Sequence, residues 1–430
     1  MPFKRSHRAV LASIGTLALA GCTTGDDATD DSPQGSSPTT ASETEPSPTV
    51  TETPTTTSEQ TTSSTPTPNP EPPSTIDAGW PMPGHGPGRS NFAPEVTGPT
   101  ESVAELWEVT TDGGLSAPVV AEGLLFASSE NGTVLSLDAR TGEERWRQSV
   151  GGAAFTPRVM DGRVYVPTAS SIVALAATDG REVWRADAPN RIDASRSDEG
   201  QRATLVVAVH GAYWLSGGDA PEVVALALED GSERWRREIH DPWSGPLFAS
   251  EERVFLSTGT HGRIPWRFDP GSGTVADDPQ RGNDFPAERF VLDGTIYAVD
   301  HFFGIVHGDG WTAGRDAFAT GPDYWLSGGE SRVYYVPNVR GAPTTRLFAL
   351  SQNDGETAWS ADVGAGMASR PVVTAETVLV RSEDALACFD PADGTERWRR
   401  SIDGIGERIV VADDLLFTTD GDAVRAFRPP

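Results

Sequence analysis

Leu137-Asp138-Ala139-Arg140-Thr141-Gly142-Glu143-Glu144-Arg145-Trp146 is a phrase the chain says five times. It returns as Leu175 to Trp184, Leu226 to Trp235, Leu350 to Trp359 and Phe389 to Trp398. In every copy a glycine stands four residues before the Trp and an apolar residue nine before it. Neighbouring copies lie about 40 residues apart. A period of that length means units that cannot bury their apolar faces alone and must stack or close into a ring.

Each unit reads as four short strands. In the first, an inner strand ends at Ala121, Glu122-Gly123 turns into Leu124-Ala127, and Asn131-Gly132 leads into Val134-Leu137. Thr141-Gly142 then leads to an outer strand carrying Trp146. Asn-Gly between apolar runs suits a type I′ turn, which needs positive φ at both central residues. The Asp-Gly pairs of the later copies read as hairpin turns, because a calcium loop needs more oxygen ligands at fixed spacing. Between Trp235 and Trp359 there is room for two further units, through Val254-Leu256 and through Thr295-Val299, whose own Trp has gone. The last unit stops after Ala423-Phe427, and its missing strand appears at the other end as Ala104-Val109 with Trp107. An N-terminal strand completing the C-terminal sheet closes a ring and removes open edges. The expected fold is therefore all-β: an eight-bladed β-propeller of four-stranded antiparallel blades, closed by an N-terminal strand.

Before the ring, Lys4, Arg5 and Arg8 precede the apolar run Ala9 to Ala20 and the tetrapeptide Leu19-Ala20-Gly21-Cys22. A basic start, a short apolar core and small terminal residues make an export signal, too short to span a bilayer. The tetrapeptide resembles a lipobox, which implies lipid attachment at Cys22. Residues 23–75 are dominated by Ser, Thr, Pro and acidic residues, a composition that cannot bury enough apolar surface to fold. The expected layout is a lipoprotein signal at 1–21, a disordered stalk at 22–76 and the propeller at 77–430. The protein would then sit on the outer face of the cell membrane, held by lipid alone.

The formal charge is −28, and Lys4 is the sole lysine. A field of that sign disfavours nucleic acid and anionic membranes. Acidic side chains with almost no lysine resemble the proteins of salt-loving archaea. At molar salt the Debye length is roughly 3 Å, which screens the self-repulsion. With Cys22 taken by lipid, Cys388 has no partner, and its alignment with Ser136, Ala174, Ala225 and Ala349 points to a buried inert thiol.

The phrases from Ser136 to Trp146, Ala174 to Trp184, Ala225 to Trp235 and Cys388 to Trp398 resemble the pyrroloquinoline-quinone-like (quinoprotein alcohol dehydrogenase-like) propeller repeat. The resemblance covers about residues 80–430. It implies that Trp107, Trp146, Trp184, Trp235, Trp359 and Trp398 wedge between neighbouring blades. In build the chain is similar to short, lipid-anchored propellers of the BamB type, which implies a scaffold that binds other proteins. That task presupposes an outer membrane, which an archaeal source would lack. The quinone enzymes of the family imply adjacent paired cysteines, carboxylate-held calcium and a longer chain, whereas here the two cysteines are Cys22 and Cys388 and one is taken by lipid.

No nucleophile elbow, phosphate cradle or zinc helix appears. Loops after the second and fourth strands of a blade share one face, and the insertions 190–203, 210–221, 261–266 and 338–345 read as lying there. His210, His240, His261 and His301 map to these loops with Tyr213, Trp214, Trp243, Trp266, Phe302 and Phe303. Loops on a rigid scaffold are where binding groups collect, and the expected binding face comprises His210, Tyr213, Trp214, His240, Trp243, His261, Trp266 and His301. An imidazole cluster there would suit a transition metal, yet the reading settles on no metal, no cofactor and no catalytic residue. The expected protein is a monomeric, non-catalytic scaffold for a protein or small ligand, with an exported quinone-dependent dehydrogenase for small alcohols or sugars as the alternative.

Overall fold

The computed structural model describes residues 76–187, 205–215, 222–239, 244–258, 266–277, 286–300, 305–313, 323–338 and 342–430. Among these residues the strands form eight sheets, each with four antiparallel strands and the seventh with a short fifth strand, arranged in chain order as the blades of a propeller. Blade 1 is Val119–Ala121, Leu124–Ser128, Thr133–Asp138 and Glu144–Ser149. Blades 2 to 7 run from Arg158 to Asp187, Leu205 to Glu238, Ser244 to Asp277, Pro286 to Ala313, Asp323 to Ala365 and Val372 to Ser401. Blade 8 joins Arg408–Ala412, Leu415–Asp420 and Ala423–Arg428 to the N-terminal strand Ala104–Thr110. Glu105 pairs with Phe427 and Trp107 with Ala426, so the ring closes across the two ends of the fold.

Burial explains the strand composition. The third strand of blade 1 is buried on both faces, as a sheet packed between two neighbours must be, and reads Val134-Leu135-Ser136-Leu137 at its centre. The outer strand is polar except for one buried residue, Trp146. One hairpin differs from expectation. The Asn131-Gly132 turn is not type I′, because Gly132 has φ 83° while Asn131 is not in the positive-φ region. The Gly132 N–H instead donates to Ser129 C=O at 2.9 Å, with Glu130 and Asn131 at the centre of the turn. Asn131 spends its side chain on Ser129 and Asp112, which holds it in the ordinary region.

The segment before the closing strand does something the sequence did not announce. It makes a circuit around the axis, bonding the end of one inner strand after another. Asp413 of blade 8 donates to Ala78 C=O, Val120 of blade 1 exchanges two bonds with Trp80, and Val159 of blade 2 donates to Pro81. Ala249 donates to Pro87, Val291 to Gly88, Gly328 to Ser90 and Val373 to Asn91, before Phe92–Ala93 runs parallel to the inner strand of blade 7. Such tight curvature needs unusual backbone: His85, Arg89 and Asn91 all have positive φ. The circuit therefore rings the axial mouth on the face of the first-to-second strand turns, called here the hairpin face. The second-to-third and blade-to-blade connections lie on the opposite, loop face.

Candidate functional site

The recurring phrase is the seam between blades. The third-to-outer turn places its glycine in the left-handed region, φ 71° at Gly180, and the Gly180 N–H donates to Ala176 C=O at 2.9 Å. A Cβ on Gly180 would stand 2.6 Å from the ring of Trp146 in the preceding blade. The same indole donates its Nε1–H to Ala177 C=O of that turn at 2.8 Å. Glycine and tryptophan of one phrase thus serve two different seams. Trp107, Trp184, Trp235 and Trp359 repeat the arrangement on Gly142, Gly231, Gly273 and Gly394, and Trp398 donates to Pro99 C=O where the ring closes. An aromatic residue of the second strand backs the indole: Phe126 behind Trp146, Tyr165 behind Trp184, Tyr213 behind Trp235 and Tyr334 behind Trp359, with centroids 5.7–5.9 Å apart.

The expectation that both middle units had lost their Trp needs correction for blade 5. Its turn is shorter, and Trp311 follows Gly310 directly instead of lying on the outer strand. The indole still reaches the next blade, donating to Gln352 C=O at 2.6 Å, and a Cβ on Gly355 would come within 2.3 Å of its ring.

Blade 4 is the exception. In the other copies the Trp pairs across the strands with a small residue, as in Ala174 with Trp184, Ala225 with Trp235 and Cys388 with Trp398. In blade 4 the same register, with the same bulge, pairs Arg267 with Asp277. Across the seam, Gly310 has φ 76° like the other turn glycines, yet a Cβ there would meet nothing within 4 Å. Phe255 holds the backing position opposite Arg267 and stacks on Phe248 at 5.0 Å. Among the described residues no indole closes this seam.

A cleft of about 1540 Å³ opens there. Its walls include Phe255 and Arg267 from blade 4, with Ile296, His307 and Trp311 from blade 5. It runs inward past the exposed Val209 to Met160 and to Pro87 and Gly88 of the N-terminal circuit. Glu251 and Glu252 of the first turn of blade 4, with Asp293 and Asp309 of blade 5, set an acidic rim that Arg253 and Arg267 only partly offset. Its turns belong to the hairpin face, opposite the face the sequence favoured.

The expected binding residues separate accordingly. Tyr213 and Trp214 lie inside the second strand of blade 3, fully buried, and not in an insertion. The Tyr213 hydroxyl donates to Pro270 C=O, the carbonyl that also receives Trp235 Nε1–H, and burial pushes its pKa up to about 12. Trp214 belongs to the buried core cluster that holds Tyr165 and Trp184. His210 sits on the hairpin face with Nε2 3.3 Å from Ser250 C=O, so it does not join the loop-face set. Trp266 begins the third strand of blade 4 and stacks on Phe268 at 6.3 Å. His240, Trp243, His261, His301, Phe302 and Phe303 lie outside the described residues. Cys388 is fully buried, its thiol pushed up to about 12 by burial. Among the described residues no group of three or more His, Cys, Asp or Glu could hold a metal ion.

Comparison with known proteins gives the family. The model described as "Outer membrane protein assembly factor BamB" matches residues 99–199, 168–290 and 309–428. A Yersinia pestis protein of that name is 25% identical over 324 residues, 73% of this chain and 71% of the relative. BamB from Moraxella catarrhalis superposes with a TM-score of 0.54 at 14% identity, covering 76% of this chain and 100% of that one. Quinohemoprotein alcohol dehydrogenase from Comamonas testosteroni gives a TM-score of 0.57, also at 14% identity, over 82% of this chain and 80% of that one. At such identity the two structures show a common fold alone.

Proposed function

This chain belongs to the family of the outer membrane protein assembly factor BamB, and from that premise we propose that it is a non-catalytic propeller scaffold that binds a partner protein at the cell envelope. The observation that carries the reading is similarity to a protein named for assembly over nearly three quarters of the chain. The rigid ring of seams supports it, since such a frame presents turns and grooves without needing to move. In this reading Cys22 carries the lipid, the Ser/Thr-rich stretch spaces the ring from the membrane, and the attachment is to the outer face of the cell membrane. The chain acts as a monomer toward a protein partner, with no cofactor.

The alternative, a quinone-dependent dehydrogenase, draws only on the fold. It is also less compatible with the N-terminal circuit, which bonds to seven of the eight inner strands around the axial mouth where a cofactor on the hairpin face would enter. The test is direct. The lipid-anchored protein, cross-linked in its own membrane and purified, is expected to carry a stoichiometric protein partner, and Cys22→Ser is expected to release it to the soluble fraction. Dye reduction by alcohols after loading with quinone and calcium would overturn the scaffold reading.

A further inference from the structure

We propose that the seam between blades 4 and 5 is the docking site of this scaffold, and that it takes an aromatic side chain borne on a basic, extended segment of a partner protein. The inference rests on the scaffold reading and gives it a place and a chemistry.

The ring itself shows what the seam accepts. At the neighbouring seams an indole lies between a second-strand aromatic and a left-handed turn glycine: Trp235 with Tyr213 and Gly273, and Trp311 with Tyr297 and Gly355. Blade 4 keeps that aromatic, Phe255, and blade 5 keeps that glycine, Gly310, but the register position between them holds Asp277. The space over Gly310 is open. An aromatic ring entering from outside would find the surfaces that bury Trp235 one seam away. Burying an aromatic side chain removes about 150–250 Å² from water, enough to anchor an interface.

Size and charge choose the rest of the occupant. A cleft of about 1540 Å³ exceeds the roughly 300–1,000 Å³ of a small-molecule site, so a segment of chain fits it better. Glu251, Glu252, Asp293 and Asp309 outnumber Arg253 and Arg267 in the same cleft of a protein of formal charge −28, which favours arginine or lysine on either side of the ring. Val209, 70% exposed, continues the apolar floor toward the axis and gives a second foothold for an extended strand.

The probe is a fluorescein-labelled ten-residue peptide with one tryptophan between arginines, titrated by anisotropy into the full chain. A control peptide carries Trp→Ala. Saturable binding is expected for the first peptide and at least tenfold weaker binding for the second, at both low and molar salt. Charge reversal at the exposed rim, Glu251→Arg with Glu252→Arg, is expected to weaken the tryptophan peptide at least tenfold at low salt and little at molar salt. The melting temperature should not move. Ile296→Glu, on the cleft wall, is expected to abolish binding at either salt. Equal binding of the two peptides, or no binding of either, overturns the proposal. If the membrane-captured partner survives the rim reversal and Ile296→Glu together, the seam is not the site while the scaffold reading stands. If the unaltered protein captures no partner, the scaffold reading falls, and the peptide titration still decides whether the seam takes an aromatic ring.

Discussion

The seam between blades 3 and 4 and the seam between blades 4 and 5 are neighbours built to one plan with opposite results. In the first, Trp235 is gripped between Tyr213 and Gly273 and donates to Pro270 C=O at 2.9 Å. In the second, the backing aromatic and the turn glycine are present, and the pair that should bear a small residue and an indole is Arg267 with Asp277. A repeat protein is held by its interfaces, so stability is set seam by seam. Where an indole crosses to the next blade the seam is closed, and where none does, among the described residues, a cleft opens. The repeat is thus informative twice: through its copies, and through the position where it lapses.

The largest expected effect that separates the two seams is at the indole. Trp235→Ala should lower stability by about 3–5 kcal/mol, the usual cost of emptying a packed aromatic site. Phe255→Leu at the open seam should cost less, about 1–2 kcal/mol, because it removes only part of a buried ring's volume. Chemical denaturation of both variants checks the contrast, and equal losses would erase it.

Next in size is the glycine. Gly180→Ala demands a left-handed alanine, costing about 1–2 kcal/mol, and drives a Cβ to 2.6 Å from Trp146, adding about 1–3 kcal/mol of overpacking. Gly310→Ala carries only the backbone part, because nothing lies within 4 Å. The difference should shrink in a Trp146→Ala background. A double-mutant cycle should show coupling of about 1–2 kcal/mol between Gly180 and Trp146, in different phrases, and near-additivity between Gly142 and Trp146, in the same one. Coupling inside the phrase would mean that the unit of packing is the blade and not the seam.

The smallest effect concerns the turns that carry the glycines. Hydrogen bonds from Arg181 hold Asp179 below its ordinary range, those from Ser272 do so for Asp269, and those from Arg397 for Asp390. A carboxylate whose folded pKa is depressed adds stability that is complete above its unfolded value near 4 and is lost as pH falls through the folded value. Acidification also relieves self-repulsion, so the measurement belongs at molar salt, where that repulsion is screened. There the melting temperature should be level from pH 7 to 5 and fall below about pH 4. A rise on acidification would contradict the assignment.

Much of this was legible before any coordinates. The spacing of glycine and tryptophan gave the number of blades and the closing strand, because both residues answer to geometry that recurs identically. Trp311 escaped because the blade 5 turn is shorter, so its indole reaches the next blade from beside Gly310 and not from four residues later. Tyr213 and Trp214 were misread as loop residues because a strand buried on both faces shows no alternation. Ala212-Tyr213-Trp214-Leu215 is simply an apolar run after a glycine. The N-terminal circuit had no signal of its own, since backbone hydrogen bonds to inner strands need no particular side chain. The cleft was hidden for another reason: it is made by a substitution at a register position, and register becomes visible only once strands are paired.

Repairing the lapsed phrase should close the seam and remove the binding site together. Arg267→Ala with Asp277→Trp restores the small residue and the indole to their register positions in blade 4. A higher melting temperature is expected, as the eighth seam closes, together with loss of the tryptophan-peptide binding expected of the unaltered protein. A repaired chain that melts higher yet binds the peptide as before would show that the seam and the binding site are not the same place.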